Sequence, residues 1–511
     1  TLIFTGFLLK YMLPYYIFNG YVNYDTPFHY LSALYLRDHG IDPSYHYHMW
    51  PAWLLLNSMF TEIFNNFPIN VSVIALASKL LISLSIYLLS KRYLMSNSLI
   101  LTSLIILLIV EPFTIHPSPL LTSTTLTILA ILLFLNLLYS KERERAALSF
   151  IVIVFSLTFY HSVMPIALLL SILSIIMTEL FINKLTPHDI SRVHIFGKVW
   201  LWSLISFISV LAYNVYLTLF VIRTIHETLV TLVTSFEAPT LTVHELIIEG
   251  SELTWQYVVL GNINRSVRYF LIIPSVIVAF YLFNKNMRAR LTENERAVFA
   301  ITVVGGVNVA FYIIFNIFLH TGLVERLYQL SYILLPIPVA YFQEILHNDV
   351  KLYPLVKRVL SLLMSLSMYV LLFLSMFTAP SYTTLYASAL GEQDLNIAQW
   401  IASHSPNTEI ILDGNNRINE LTALYLYPDH IYNKTLKILR NMEVNAFRGV
   451  YNYPYGAIIT TRKPITIASP VRGLTDIMLE RHINNLSLYL NKVFSNGICE
   501  SFMTQKSFSE R

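Results

Sequence analysis

The chain has 511 residues, 55% of them hydrophobic and only 13% charged, with a mean hydropathy of +0.58. That little polar surface cannot cover an apolar core in water, which excludes a soluble globular protein and defines a polytopic membrane protein. A net charge of +4 without any basic, aromatic-interleaved block excludes a nucleic-acid partner, and the lone cysteine, Cys499, excludes an intramolecular disulfide or a thiolate cluster.

Crossing about 30 Å of hydrocarbon takes roughly 20 apolar residues as a helix. Eleven stretches are expected to do so, near 2–18, 70–90, 97–113, 118–139, 146–161, 163–182, 199–222, 267–284, 297–319, 327–345 and 358–378. Leu2–Phe18 is followed by no small-residue cleavage site and reads as a span, the remainder of a longer first helix, and not as a signal peptide. Residues 19–69 form the first outer loop. Within it, the 14 residues of Pro51–Phe64 would rise only about 21 Å as a helix and are placed along the membrane interface.

With that choice the basic residues sort by side. Lys91, Arg92, Lys141, Arg143, Arg145, Lys184, Arg192, Lys198, Lys285, Arg288, Arg290, Arg296, Lys351, Lys357 and Arg358 fall in one set of loops, and only Arg37, Arg223, Arg265, Arg268 and Arg326 in the other. The first set is cytoplasmic by the positive-inside rule, so the chain is expected in the plasma membrane with residues 1–378 as the membrane domain. Residues 379–511 are less hydrophobic. "LNIAQWIASHSPNTEIILDGNN" reads as helix, turn and buried strand and "GAIITTRKPITIAS" as two further strands, giving a small α/β domain outside the membrane. Four N-x-S/T sequons, at Asn70, Asn264, Asn433 and Asn485, all fall on the outer side and mark candidate glycosylation sites. No short-period repeat is visible.

The outer loops are poor in cations but rich in groups that titrate. "YDTPFHYLSALYLRDHGIDPSYHYHMWP" carries Asp25, His29, Asp38, His39, Asp42, His46 and His48, "EPFTIHPSP" carries Glu111 and His116, "FYHSVMP" carries His161, and "HTGLVERLYQ" carries His320, Glu325 and Arg326. Ionisable groups at membrane depth usually line a site or pathway. Asp25 suits a general base or a ligand for a divalent metal; equally, Asp-Thr-Pro is a capping signal for a helix over Phe28–Arg37. His29, one turn on, shares its face. His46 and His48 at i, i+2 converge only on a strand or irregular loop. Glu111 and His116 flank Pro112 at the mouth of a span, and His161 sits in a tight turn; each reads as site or scaffold. Arg326 begins a span, where its guanidinium can grip a phosphate bidentately or pair with Glu325, with Arg265 and Arg268 as further cations.

"YDTPFHYLSALYLRDHGIDP", the interfacial "MWPAWLLLNSMF" and the span ending "YLLSKRYL" resemble the first third of GT-C superfamily glycosyltransferases, archaeal membrane enzymes in particular. "SLTFYHSVMPIALLL" and "ERLYQLSYILLPIPVAY" are similar to their later landmarks, as is the outer C-terminal part beginning "AQWIASHSPNTEIILD". The resemblance implies transfer of a sugar from a polyprenyl, dolichyl-type, phosphate or diphosphate on the outer face, to a protein, glycan or lipid acceptor. It implies Asp25 as base or metal ligand and Arg326 as donor-phosphate contact. A Trp-Trp-Asp-Tyr-Gly signature, an Asp-x-Asp in the second outer loop and an Asp-Glu pair at Asp25 are all lacking, so sequon glycosylation and Ser/Thr mannosylation are not implied.

Two other readings stand beside it. A transporter or lipid flippase would place strongly polar residues at mid-span, where Leu, Ile, Val, Ser and Thr dominate here. A non-catalytic subunit would keep the scaffold without activity.

Overall fold

The computed structural model describes residues 26–41, 50–64, 67–94, 96–110, 119–139, 143–161, 163–185, 204–205, 207–217, 255–288, 291–319 and 322–348, together with 396, 399–400, 403 and four short strands. The expected spans 2–18 and 358–378 lie outside these residues, and 199–222 is described only in part, ending in a π-helical turn at Tyr213–Leu217.

Two short helices come first, α1 (Thr26–His39) and α2 (Pro51–Phe64). Helix α1 stops because Gly40 adopts φ +78°, and its N–H bonds back to the Leu36 carbonyl at 2.9 Å, an αL cap that a side chain would strain. Helix α2 begins on a proline, whose missing N–H costs nothing in a first turn, and it matches the segment expected at the interface residue for residue. Trp53 and Leu54 are buried against Ala33 and Leu36 of α1. On the opposite face Leu55, Met59 and Ile63 form an exposed apolar stripe at i, i+4, i+8, the surface expected of a helix lying against lipid. Arg37 ties the pair together, reaching Asp38 at 2.6 Å and Glu62 of α2 at 3.2 Å; its guanidinium holds the Asp38 carboxyl below the usual carboxylate range.

The membrane part continues with α3 (Phe67–Tyr93), α4 (Asn97–Val110), α5 (Pro119–Tyr139), α6 (Arg143–Tyr160), α7 (Met164–Leu185), α8 (Trp255–Arg288), α9 (Glu293–Leu319), α10 (Gly322–Leu334) and α11 (Pro336–Asn348). Val73–Tyr93, Pro119–Tyr139, Met164–Asn183 and Glu293–Ile313 are long and apolar enough to cross a membrane, and Asn97–Ile109, Ala146–Tyr160 and Leu271–Met287 are shorter apolar helices. The protein is a polytopic helical membrane protein. Helices α3, α5, α7 and α9 pack in a ring, each against the next, with α6 packed on α5, α4 on α3 and α11, and α8, α10 and α11 on α9.

The buried hydroxyls of "LTSTTLT" in α5 pose no desolvation problem, because Thr124 and Thr125 donate to the Leu120 and Leu121 carbonyls at 2.7 and 2.9 Å. The expected span 327–345 is instead two helices. Pro336 and Pro338 remove two N–H donors within one turn, and the chain turns at Leu335 while Leu335 and Val339 still donate to Ser331 and Leu335.

In the region expected to form an α/β domain, β1 (Ile410–Leu412), β2 (Ile458–Arg462), β3 (Asn491–Ser495) and β4 (Cys499–Met503) form one sheet of order β1-β2-β4-β3. The β1/β2 pair is parallel and the others antiparallel. Strands β1 and β2 fall where the sequence placed them; β3 and β4 were not anticipated.

Candidate active site

A buried polar network marks one end of the bundle. Tyr139 of α5 donates to Glu179 of α7, and Arg296 of α9 donates to Glu179 at 3.4 Å and to the Asn183 side-chain oxygen at 3.1 Å. Beside them Glu295 receives Lys285 of α8 at 2.5 Å and Tyr341 of α11 at 3.3 Å. Glu295 also accepts from the Thr292 N–H at 2.8 Å while Thr292 Oγ1 accepts from Glu295 N–H, a capping box that fixes where α9 begins. Tyr93 of α3 meets the Tyr139 ring edge-on. Glu179 and Arg296 lie near the ends of their apolar spans, and Lys79, buried inside Val73–Tyr93, is the exception to the apolar, Ser- and Thr-bearing mid-span pattern among these three. Arg296, read from sequence as a loop cation, is only 1% exposed in the first turn of α9.

This network is a common floor from which heights can be counted. At about 1.5 Å per residue, Lys79 stands fourteen residues and roughly 21 Å from Tyr93 along α3, Thr125 the same from Tyr139 along α5, and Met164 about 22 Å from Glu179 along α7. Direct contacts agree, since Ser78 lies 3.4 Å from Thr122, Thr125 donates to the Ser78 carbonyl at 3.3 Å, and Thr124 lies 3.9 Å from the Met164 sulfur. Arg326 lies on α10, across the Leu335 break from Tyr341 of α11, and Arg268 and Arg265 are seventeen and twenty residues from Lys285 along α8, about 25 and 30 Å. The described backbone thus carries Arg326, Arg268 and Arg265 to the end of the bundle opposite the floor; their side chains are not among those described.

The same end holds His161 and His29. His161, in the turn between α6 and α7, accepts the Val163 N–H on Nδ1 at 3.0 Å and is nearly buried. That bond fixes the ring against the turn. His29 is buried in α1, edge-on to Trp53 of α2 at 5.1 Å between ring centroids. Tyr160, the residue before His161, packs on the Trp53 cluster. The α1–α2 pair therefore lies across the end of α6 and brings His29 and His161 into one neighbourhood. Asp25 immediately precedes α1 but, with His46, His48, Glu111, His116, Asn433 and Asn485, lies outside the described residues. Asn70 is in the first turn of α3 and Asn264 is on α8. Among the described residues no group of three His, Cys, Asp or Glu is arranged to hold a metal.

An apolar cavity of about 440 Å³ opens between α8, α9 and the α10–α11 break, bordered by Ala279, Gly305, Gly306, Ala310, Tyr332 and Pro338. Neither glycine has an atom within 4 Å of where a Cβ would stand. Lining positions 331–338 put the cavity between the floor and the height of Arg326.

This fold is one already seen in a solved membrane oligosaccharyltransferase. The chain is similar to the archaeal oligosaccharyltransferase AglB from Archaeoglobus fulgidus, solved with an inhibitory peptide and a dolichol-phosphate, with a TM-score of 0.54 at 10% identity over 99% of this chain and 73% of that one. The A. fulgidus oligosaccharyltransferase in complex with Zn and sulfate gives 0.49 at 11% identity over 83% and 61% of the two chains. ArnT from Cupriavidus metallidurans bound to undecaprenyl phosphate gives 0.48 at 12% identity over 98% and 95%. No protein-family model matches the chain, and no curated protein does.

Proposed function

We propose that the protein transfers a sugar from a polyprenyl, dolichyl-type, phosphate to an acceptor at the outer face of the plasma membrane. The observation that carries this reading is the fold shared with AglB, with His29 and His161 near the end away from the floor and the backbone positions of Arg326 and Arg268 on α10 and α8. Dolichol-phosphate in the AglB structure supports the donor class. Asp25 takes the proton of the acceptor hydroxyl or amide; the acceptor atom bonds to the anomeric carbon as the carbon–oxygen bond to the lipid phosphate breaks. The phosphate leaves with the electron pair, and Arg326 with Arg265 or Arg268 meets its growing charge. His161, His46 and His48 border the sugar, while Glu111 and His116 stand beside the acceptor. Any divalent metal would be held through Asp25, and no step is routed through one. The test is transfer by purified protein from a polyprenyl-phosphate sugar; absence of product with every such donor would leave a GT-C scaffold without activity.

In this reading the isoprenoid tail occupies the apolar cavity. Gly306→Leu fills that space from α9 and is expected to raise the donor KM roughly tenfold, about 1.4 kcal/mol. Thermal stability should hold or rise, since glycine is the poorer helix former by about 0.8–1 kcal/mol. An unchanged KM in a folded variant places the tail elsewhere.

Residues 379–511 then lie outside and the floor faces the cytoplasm. Single cysteines at Lys141 and Asn433, in a background lacking Cys499, are expected to show protection of the first and labelling of the second by an impermeant thiol reagent on intact cells. The reverse pattern inverts the topology.

A further inference from the structure

We infer that the acceptor is itself carried on a long isoprenoid chain, which lies in a second apolar groove between α7 and α9; this rests on the transfer reading above and names its acceptor class. The groove has a volume of about 660 Å³ and is bordered by Leu170, Met177 and Phe181 of α7 and by Phe299, Val307 and Phe311 of α9. Both helices are spans, so an occupant reaches it from the bilayer. The rim is open, with Leu173, Met177 and Leu180 exposed by 41%, 64% and 50%. Ser174 and Thr178, the hydroxyls in the wall, donate to the Leu170 and Ser174 carbonyls of their own helix at 2.7 Å each. The wall therefore offers an occupant hydrocarbon contact.

Depth and shape select the chain. Leu170 stands about 9 Å below Met164 along α7, and Phe181 about 25 Å below it, so the groove runs past the middle of a hydrocarbon layer about 30 Å thick. Its floor end is closed, because Phe181 stacks on Phe283 of α8 at 5.8 Å between ring centroids. A chain following the groove from the His161 turn, where α7 starts, thus passes deeper than one leaflet, about 15 Å. An ordinary acyl chain stops short of Phe181; an isoprenoid carrier does not. The donor's tail occupies the cavity on the other side of α9, and Val303 and Val307 border both spaces. Two long chains run with one helix between them, and their head groups meet near His161. There the carrier-borne hydroxyl gives its proton to the base and bonds to the anomeric carbon as the lipid phosphate leaves.

Two measurements on the full-length protein test this. In nanodiscs, hexaprenol with a diazirine at its far end should label the peptides bearing Phe181 and Phe299 about tenfold more than the exposed face of α6 at Leu148, Val152 and Phe155. Decanol with the same group, too short to pass the midplane, should not discriminate. Ser174→Leu fills the groove and removes only a hydroxyl bonded within its helix, so it should bring the label down to the α6 level. Met177→Trp, at the open rim, takes its place if that variant does not fold. Even labelling of the groove and α6 by hexaprenol means ordinary bilayer contact and overturns the site. In native membranes given a radiolabelled polyprenyl-phosphate sugar, the label should pass to a second lipid that chromatography separates from the donor. Ser174→Leu should lower that yield about tenfold with donor KM unchanged. Label in precipitated protein overturns the lipid acceptor and leaves the transfer reading standing. A raised donor KM in Ser174→Leu assigns the groove to the donor's own tail and also overturns it. No transfer to any fraction by wild type overturns the transfer reading and the acceptor with it.

Discussion

Asp25→Asn should lower turnover with a lipid-linked sugar by roughly 10²- to 10⁴-fold, the range a general base supplies, while thermal unfolding stays nearly unchanged. The separation follows from where α1 starts. Its first residue is Thr26, so Asp25 stands at the position where a side-chain oxygen caps a helix, and asparagine caps about as well as aspartate. Asparagine cannot take a proton from an acceptor. Asp25→Ala should lose the cap as well, about 1 kcal/mol, in addition to the same loss of turnover. Glycosyl transfer and unfolding, measured together on wild type and both variants, distinguish the roles. Equal turnover in Asp25→Asn reduces Asp25 to a cap and moves the base to another group at that end.

How far the sequence announced these features depends on the range of the interactions behind them. Helix α2 was legible to the residue because its signals are local: a proline at the start, a length too short to cross, and an apolar face offset from Asn57 and Ser58. The GT-C resemblance was legible for a similar reason, through short ordered motifs. The break at Leu335 was hidden because "YILLPIPVAY" is continuously hydrophobic, and hydropathy does not count missing N–H donors. The floor was hidden because its partners are distant in sequence. Glu179 and Arg296 are 117 residues apart and Tyr341 and Glu295 are 46 apart, so no window of spacing joins them. Lys79 was masked by its neighbours, since one lysine hardly lowers the mean hydropathy of a 21-residue span. Of the predicted site, His29 packs on Trp53, and Tyr160, the residue before His161, packs on the same cluster; Arg326, Arg268 and Arg265 are described in their backbone alone. Asp25, Glu111, His116, His46 and His48 remain part of the proposal.

Arg296→Met should destabilise the protein by about 3–5 kcal/mol, the usual result of leaving one member of a buried ion pair behind. Arg296 and Glu179 are almost fully buried, and Glu179 holds Tyr139 as well as Arg296, so α5, α7 and α9 are joined through one carboxylate. Removing the guanidinium strands that carboxylate in an apolar bundle, where water cannot reach it. The desolvation cost that the pair carried is then uncompensated. Replacing both partners, Glu179→Met with Arg296→Met, removes the stranded charge and should recover most of the loss, because an apolar pair of similar volume fills the space without a desolvation penalty. Denaturant unfolding in detergent of the two single variants and the double variant measures the coupling. Turnover per folded molecule should be unaltered in the double variant, since the pair lies roughly 20 Å along the helices from the proposed site. A single variant as stable as wild type would mean that the floor's ion pair contributes little to the bundle.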